Sequence, residues 1–114
     1  MHVVRALAER GDNVISFDVA PPSDPRRKWF LEPVIDRVKS VEGTITDLAY
    51  LVQTVKKHRV EKIAHIAAIY NPVWEKEHPR YALEVSLMGC VNICEVARLM
   101  DVQRVVFASS HDVY

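Results

Sequence analysis

The stretch HVVRALAERGDNVISFDV, residues 2–19, decides the fold class of this chain. Apolar residues in its first half recur at helical spacing, and Gly11 then supplies the left-handed residue that often ends a helix. The second half is a short run of β-branched and aromatic residues that closes with Asp18, a pattern typical of a strand buried in a parallel sheet. A helix followed at once by such a strand is the first sign of an α/β domain.

The same alternation of helix and strand continues along the chain. Parallel strands joined by helices need both faces of their sheet covered, with right-handed crossovers, so the pattern predicts a doubly wound parallel sheet. Further strands are predicted within 36–43, 61–68 and 103–110, helices within 46–58 and 80–100, and a loop or irregular helical start within 71–79.

Local features of this pattern lead to specific expectations. The residue pair 46–47 offers a side-chain oxygen for the N-cap of the helix that follows. Gly89, inside a predicted helix, costs roughly 1 kcal/mol and so indicates that another group packs closely against it. Residues 20–33 contain four prolines and clustered charges, so we predict an exposed loop without regular structure, pinned by Trp29 and Phe30.

The composition limits the classes of function. With 114 residues, of which 49% are hydrophobic, the chain suffices for one domain with one core. Its 15 basic and 15 acidic residues balance, so the long-range field that would attract nucleic acid or a membrane surface is missing. No run approaches the roughly 20 apolar residues of a membrane span, and a cytoplasmic location is the simplest expectation.

Cysteine, histidine and basic residues give no metal or redox signal. Cys90 and Cys94 lie four apart on a predicted helix, where core packing is favoured over a disulfide, redox or metal pair. The five histidines are scattered, so no metal site is expected. His65 lies inside a strand and is expected to be a core histidine rather than a base. The basic run at 26–28 would suit a phosphate, but a solvated loop is favoured.

Residues at the carboxyl ends of the strands carry most functional weight, because ligands of doubly wound sheets bind there. Asp18 would either accept hydrogen bonds from both hydroxyls of an adenosine ribose and repel a 2′-phosphate, or form a turn. Ala67 and Ala68 would let a dinucleotide approach the backbone closely, although small residues are common at packed strand ends. The serines at 109 and 110 would hydrogen-bond a substrate oxygen, although by themselves they fit a helix cap better.

Five segments in order resemble landmarks of the extended short-chain dehydrogenase/reductases, the NAD-dependent epimerase/dehydratase family. They are HVVRALAERGDNVISFDV, VEGTITD, KIAHIAA, GCVNICEVARLMDVQRVVFASS and SSHDVY. Their order and spacing are far more specific than any one of them, and the resemblance spans essentially the whole chain. It implies a Rossmann-like domain that binds NAD.

The resemblance also implies roles for individual residues. Asp18 would bind the adenosine ribose and favour NAD over NADP, and Ile45 would lie near the adenine. Ser110 would be the catalytic serine that hydrogen-bonds the substrate oxygen. The proton would come from the tyrosine of a later Tyr-x-x-x-Lys segment, whose lysine lowers the pKa of that tyrosine; Tyr114 is a different residue. The pyrophosphate and nicotinamide-ribose path would be lined by Ile66, Ala67, Ala68 and Tyr70.

The chain departs from the family pattern at several places. Thr44 stands where many members have an aspartate that contacts the adenine amine. Ser86 stands at the cofactor site where an asparagine is usual. Members also precede the first helix with a strand and a GxxGxxG turn that holds the pyrophosphate, and Met1 stands in that place.

We therefore expect a partial, Rossmann-like, doubly wound sheet that lacks its first strand and glycine-rich loop. That strand normally lies between the strands ending at Asp18 and Ala67, and each unsatisfied buried backbone group costs about 1 to 3 kcal/mol. The chain would pair those two strands directly, borrow a strand from another copy, or be a piece of a longer protein. A homodimer is thus one open arrangement.

The expected function follows from the resemblance. Residues 1–114 would be a partial NAD(P)-binding domain, without the substrate domain, of an enzyme that oxidises a nucleotide-sugar or related hydroxyl by hydride transfer to NAD. By itself this chain would show no measurable turnover and weak or absent NAD binding. The alternative is a non-catalytic nucleotide-binding or protein-interaction module on the same scaffold, with no nucleic acid or membrane partner in either case.

Overall fold

The computed structural model of the 114-residue chain describes residues 1–21, 23–69 and 71–110. The chain divides into two compact units, Met1–Thr44 and Ile45–Tyr114. Helices alternate with parallel strands in each unit, which confirms the predicted α/β class. Over the described residues, no helix combines the length and the apolar character that crossing a membrane requires.

The first unit contains one parallel pair of strands. The first helix ends at Glu9, and Gly11, two residues later, adopts the positive φ of 104° that the sequence predicts after the helix. The strands run in register from Val14 opposite Val38 to Asp18 opposite Glu42. In chain order the elements are α1 (His2–Glu9), β1 (Val14–Asp18), α2 (Pro25–Leu31), a 3₁₀ helix (Glu32–Arg37) and β2 (Val38–Glu42).

The prediction of an irregular loop over 20–33 is wrong, because α2 lies within it. Asp24 is the N-cap of α2, and its Oδ1 accepts a hydrogen bond of 2.9 Å from the backbone N–H of Arg26. Pro25 follows in the first turn, where the missing N–H of proline is not needed by the helix. Prolines therefore start this helix rather than prevent it.

The two aromatic residues of α2, Trp29 and Phe30, differ in burial. Phe30 is half-buried and packs against the core of the first unit, whereas Trp29 is 76% exposed and does not pin the segment. That core consists of Ala8, Val14, Leu31, Val34 and Val38, with Val4 and Leu7 packed against it.

The second unit contains the other parallel pair of strands. Asp47 is the N-cap of its first helix and accepts a hydrogen bond of 2.9 Å from the backbone N–H of Tyr50, as the residue pair 46–47 predicts. The elements are α3 (Leu48–His58), β3 (Lys62–His65), α4 (Pro72–Glu77), α5 (Pro79–Leu83), a π-helical segment (Glu84–Met88), α6 (Gly89–Leu99) and β4 (Arg104–Phe107).

Three elements of the second unit differ from their predicted form. The strand predicted over 103–110 is shorter, because β4 ends at Phe107. The strand predicted over 61–68 ends at His65, so the residues after it leave the sheet. The helix predicted over 80–100 is helical throughout 79–99 but contains the π segment. On α6, Cys90 is half-buried and Cys94 is exposed, and both thiols are free; the core-packing interpretation is therefore wrong for Cys94.

The described strands form two sheets of two strands, β1–β2 and β3–β4, rather than one sheet of four. Direct pairing of the strands that end near Asp18 and Ala67 was one expected arrangement, and it is not the one adopted.

Candidate functional site

The best-defined strand end is that of β1, where Asp18 is the last residue. Oδ1 of Asp18 accepts a hydrogen bond of 3.0 Å from the backbone N–H of Ala20, and Oδ2 lies 3.0 Å from Nη2 of Arg27. These bonds fix the carboxylate, yet its side chain is 47% exposed. A carboxylate has about four acceptor positions, so the turn role and the ligand role left open by the sequence are compatible.

Arg27 is the residue of this site that sequence reasoning missed. It is only 4% exposed, so the prediction of a solvated basic run is wrong at this position. Its Nη1 donates to the backbone oxygen of Ala20 at 3.0 Å, and its Nη2 donates to Oγ of Ser16 at 3.1 Å as well as pairing with Asp18. These three acceptors belong to β1 or to the turn after it.

The burial of Arg27 follows from the helix that was not predicted. Arg27 and Leu31 lie four residues apart on α2, which places both on one face, and both are buried. The Asp-Pro pair at 24–25 is a helix-start signal that could have revealed this face. The flanking Arg26 and Lys28 point away and are exposed, as the sequence predicts for the run.

The ends of β3 and β4 lie side by side in the second unit. His65 and Phe107 are register partners, their ring centroids are 5.5 Å apart, and the backbone N–H of Ala108 donates to the oxygen of His65 at 3.1 Å. The residues that follow each strand therefore leave the sheet at the same edge. Those after β3 are Ile66, Ala67 and Ala68, and all three are exposed.

His65 is a core residue, as the sequence predicts. The residue is 5% exposed, and burial lowers the pKa of its imidazole below the ordinary value of 6.5. A neutral ring is therefore favoured inside the fold. Because His65 is buried within β3, the exposed residues after the strand are the ones accessible to a ligand.

Ser110 follows β4 and is exposed. It lies three residues after Phe107, the last residue of β4. The proposed path residue Tyr70 lies outside the described residues, as do residues 111–114, which include Tyr114.

Ile45 and Ser86 complete the predicted cofactor residues. Ile45 is buried, and its side chain packs on Gly89 so closely that an added Cβ would lie 2.7 Å from its Cγ1. Nδ2 of Asn92 donates to the backbone oxygens of Ile45 and Thr46 at 2.9 and 3.1 Å, which holds this turn against α6. Ser86 is exposed on the π segment, a feature often found at functional sites.

The chemistry of the β1 end fits one part of a dinucleotide. A ribose offers two vicinal hydroxyl donors, and the fixed, half-exposed carboxylate of Asp18 offers acceptor positions that the Ala20 and Arg27 bonds do not use. The residues present therefore fit an adenosine ribose. The three glycines of the chain, at 11, 43 and 89, are too far apart in sequence to form a glycine-rich phosphate-binding turn.

Comparison with known proteins places these features in a family. A family model described as the NAD dependent epimerase/dehydratase family matches residues 1–114. The chain is 32% identical to UDP-glucuronate 4-epimerase 3 of Arabidopsis thaliana over 117 residues, which cover 99% of this chain and 27% of that protein.

Solved structures match the fold of the chain. The UDP-glucose-4-epimerase of Stenotrophomonas maltophila with bound NAD and formylated UDP-arabinopyranose superposes with a TM-score of 0.86 at 21% identity, over 99% of this chain and 34% of that one. The NAD complex of the UDP-glucose 4-epimerase of Thermus thermophilus gives a TM-score of 0.79 at 26% identity, over 96% and 33% of the two chains. The chain thus spans between 27% and 34% of the length of these relatives.

Proposed function

Because the chain belongs to the NAD-dependent epimerase/dehydratase family, we propose that residues 1–114 form part of the NAD-binding domain of an oxidoreductase acting on a nucleotide-sugar or a related hydroxyl substrate. The observation that carries this proposal is the carboxylate of Asp18, which is fixed at the carboxyl end of β1 and half-exposed. This is the strand end at which doubly wound domains bind the adenosine ribose.

Asp18 acts on the cofactor in two ways. Its free acceptor positions bind the two ribose hydroxyls, and hydrogen bonds to a charged group are each worth about 1.5 to 3 kcal/mol. The same negative charge repels a phosphate on the 2′-oxygen. The cofactor of the proposed enzyme is therefore NAD rather than NADP.

The other site residues take the roles that the family resemblance implies. Ile45 contributes to the adenine side, and Ser86 stands in the place of the usual asparagine. Ile66, Ala67, Ala68 and Tyr70 would line the path of the pyrophosphate and the nicotinamide ribose. NAD, when bound, supplies a hydride acceptor for the substrate carbon, and Ser110 hydrogen-bonds the substrate oxygen.

The nucleotide-sugar substrate rests on the relatives rather than on residues of this chain. The UDP-glucuronate and UDP-glucose 4-epimerases described above act on or bind UDP-sugars, as their names state. Homodimer formation and a cytoplasmic location stay predictions. The polypeptide of residues 1–114 by itself is expected to show no turnover, because no Tyr-x-x-x-Lys segment occurs within it.

The experiment is to sequence the gene on both sides of this coding region, express the whole open reading frame and titrate it with NAD by calorimetry. UDP-glucuronate and UDP-glucose are then offered as substrates, and their 4-epimers are sought by chromatography. We expect NAD binding and epimer formation with one of them. A complete protein that binds neither NAD nor UDP-sugar would overturn the proposal and favour the non-catalytic module.

Variants test the role of Asp18 in the same protein. The Asp18→Ala variant is expected to weaken NAD binding at least about 100-fold, the equivalent of two lost charged hydrogen bonds. The matched control is Asp36→Ala, which removes an exposed carboxylate from the 3₁₀ helix of the same unit and should leave NAD binding unchanged. Equal effects of the two variants would contradict the assignment of Asp18.

A further inference from the structure

Arg27 is a buried cation on α2. It is one of three successive basic residues, and the flanking Arg26 and Lys28 are exposed while Arg27 is 4% exposed. Burying a cation costs free energy unless it is paired and hydrogen-bonded. Its partners are therefore the evidence for what this residue does.

Among the described residues, the three acceptors of Arg27 belong to one structure, the end of β1 and the turn after it. Nη2 contacts Oγ of Ser16 at 3.1 Å and Oδ2 of Asp18 at 3.0 Å, and Nη1 contacts the oxygen of Ala20 at 3.0 Å. The planar fork of a guanidinium can hold several acceptors in fixed directions, which a lysine ammonium cannot. Arg27 thus sets the orientation of one carboxylate oxygen, while the Ala20 N–H holds the other.

We propose that Arg27 is the positioning residue that makes Asp18 discriminate NAD from NADP. The inference rests on the proposed function, because it requires Asp18 to meet the ribose. A carboxylate held on both oxygens keeps its free acceptor positions in fixed directions, ready for a ribose diol, without losing rotamer freedom on binding. It also cannot rotate away from a 2′-phosphate, so the repulsion is retained.

The opposite role for Arg27 makes an opposite prediction. An arginine near the ribose site can receive a 2′-phosphate and so favour NADP. Here the guanidinium is buried and its bonds point to Ser16, Asp18 and Ala20, so it is not presented to an incoming phosphate. Loss of Arg27 should therefore weaken NAD and spare NADP, whereas a phosphate receptor would behave in reverse.

The test measures dissociation constants for NAD and NADP on the protein expressed from the whole open reading frame. Arg27→Lys keeps the positive charge but loses the fork, and we expect about a tenfold loss of NAD affinity with no loss of NADP affinity. Arg26→Met is the matched control, since Arg26 is an exposed arginine whose ion pair is with Asp24, and it should change neither constant.

A double variant separates positioning from general support of the fold. If Arg27 acts through Asp18, then Arg27→Lys has no further effect on NAD affinity once Asp18→Ala is present, because coupled residues are not additive. Additive losses, or equal losses for NAD and NADP, would overturn the inference and leave Arg27 a structural residue. A selective loss of NADP affinity would overturn it in favour of a phosphate receptor.

A milder variant decides the matter if substitutions of Arg27 do not fold. Ser16→Ala removes one of the three acceptors of Arg27 and leaves Arg27 and Asp18 in place. We expect about a threefold fall in the NAD-to-NADP affinity ratio, smaller than that of Arg27→Lys because Arg27 keeps its bonds to Asp18 and Ala20. An unchanged ratio in folded Ser16→Ala would count against the proposal.

The outcomes for this inference and for the proposed function differ. If the unsubstituted protein does not bind NAD, the proposed function fails before Arg27 is tested. If Asp18→Ala lowers the NAD-to-NADP affinity ratio but Arg27→Lys and Ser16→Ala do not, only the positioning role of Arg27 fails.

Discussion

A methyl group added at position 89 would collide with Ile45. The added Cβ would lie 2.7 Å from Cγ1 of Ile45 and closer still to its Cδ1. Overpacking costs about 1 to 3 kcal/mol, and alanine returns about 1 kcal/mol through its higher helix propensity. We therefore expect Gly89→Ala to lower the free energy of unfolding by up to about 2 kcal/mol, measured by urea denaturation.

The partner of the collision supplies the control. In an Ile45→Ala background both offending carbon atoms are gone, so Gly89→Ala should be neutral or stabilise the protein by up to about 1 kcal/mol. An identical cost in both backgrounds would show that the contact with Ile45 is not the reason for this glycine.

His65 should make stability depend on pH. Burial lowers the pKa of its imidazole in the folded protein below the ordinary 6.5, so the unfolded chain binds the proton more readily. Stability is therefore complete above about pH 6.5 and falls as the pH drops from that value towards the folded pKa. Urea unfolding of the unsubstituted protein and of His65→Gln between about pH 5 and 8 should show this slope only when His65 is present.

A matched replacement tests whether the slope belongs to His65. His78 is an exposed histidine at the start of α5, and His78→Gln should leave the pH slope in place. A slope that survives His65→Gln would contradict the assignment.

At the residue scale, the sequence revealed what depends on position along the chain. The position of Asp18 at a strand end was predictable, because an acid follows a recognisable strand pattern. The close packing at Gly89 was predictable, because a glycine inside a helix is unfavourable unless another group needs the space. The burial of Arg27 was not predictable. Whether this arginine faces solvent or a carboxylate depends on the orientation of α2, and the prolines of this segment had led us to predict a loop instead of that helix. The role of Arg27 is set by three-dimensional partners, which local pattern does not contain.

At the scale of elements, α2 shows how a correct rule gave a wrong result. Proline breaks a helix in its interior but is favoured in the first turn, and Pro25 lies there directly after the N-cap Asp24. By contrast, β1 was predicted from its run of β-branched and aromatic residues, and α3 from apolar residues at helical spacing. The end of β3 was misplaced, because Ile66, Ala67 and Ala68 continue an apolar run after the ladder has ended at His65.

The N-cap of α2 gives a prediction for the element. Asp24 accepts a hydrogen bond from the backbone N–H of Arg26 at 2.9 Å, and loss of such a cap costs about 0.5 to 2 kcal/mol. We expect Asp24→Ala to lower the thermal midpoint, whereas Asp24→Asn, which keeps an acceptor oxygen, should lower it much less. Equal midpoints for the two variants would show that α2 does not depend on this cap.

At the scale of the whole molecule, the family and the α/β class were predictable from the order of the segments. The described strands form two sheets of two strands. Pairing partners depend on which strands are available, and periodicity along the chain does not specify them.

The two sheets should differ in local stability. All four residues of β4 are exposed, Val106 and Phe107 to 58% and 57%, whereas Val14 and Ser16 of β1 are buried. A two-stranded sheet is marginal in water, and local opening is easiest where few apolar contacts cover the strands. In the polypeptide of residues 1–114 we expect the amides of β4 to exchange at least about tenfold faster than those of β1, a difference of about 1.4 kcal/mol in opening free energy.

Hydrogen exchange followed by mass spectrometry, corrected for intrinsic rates, measures this ratio. Equal protection of the two strands would mean that burial of the β1 side chains does not control opening.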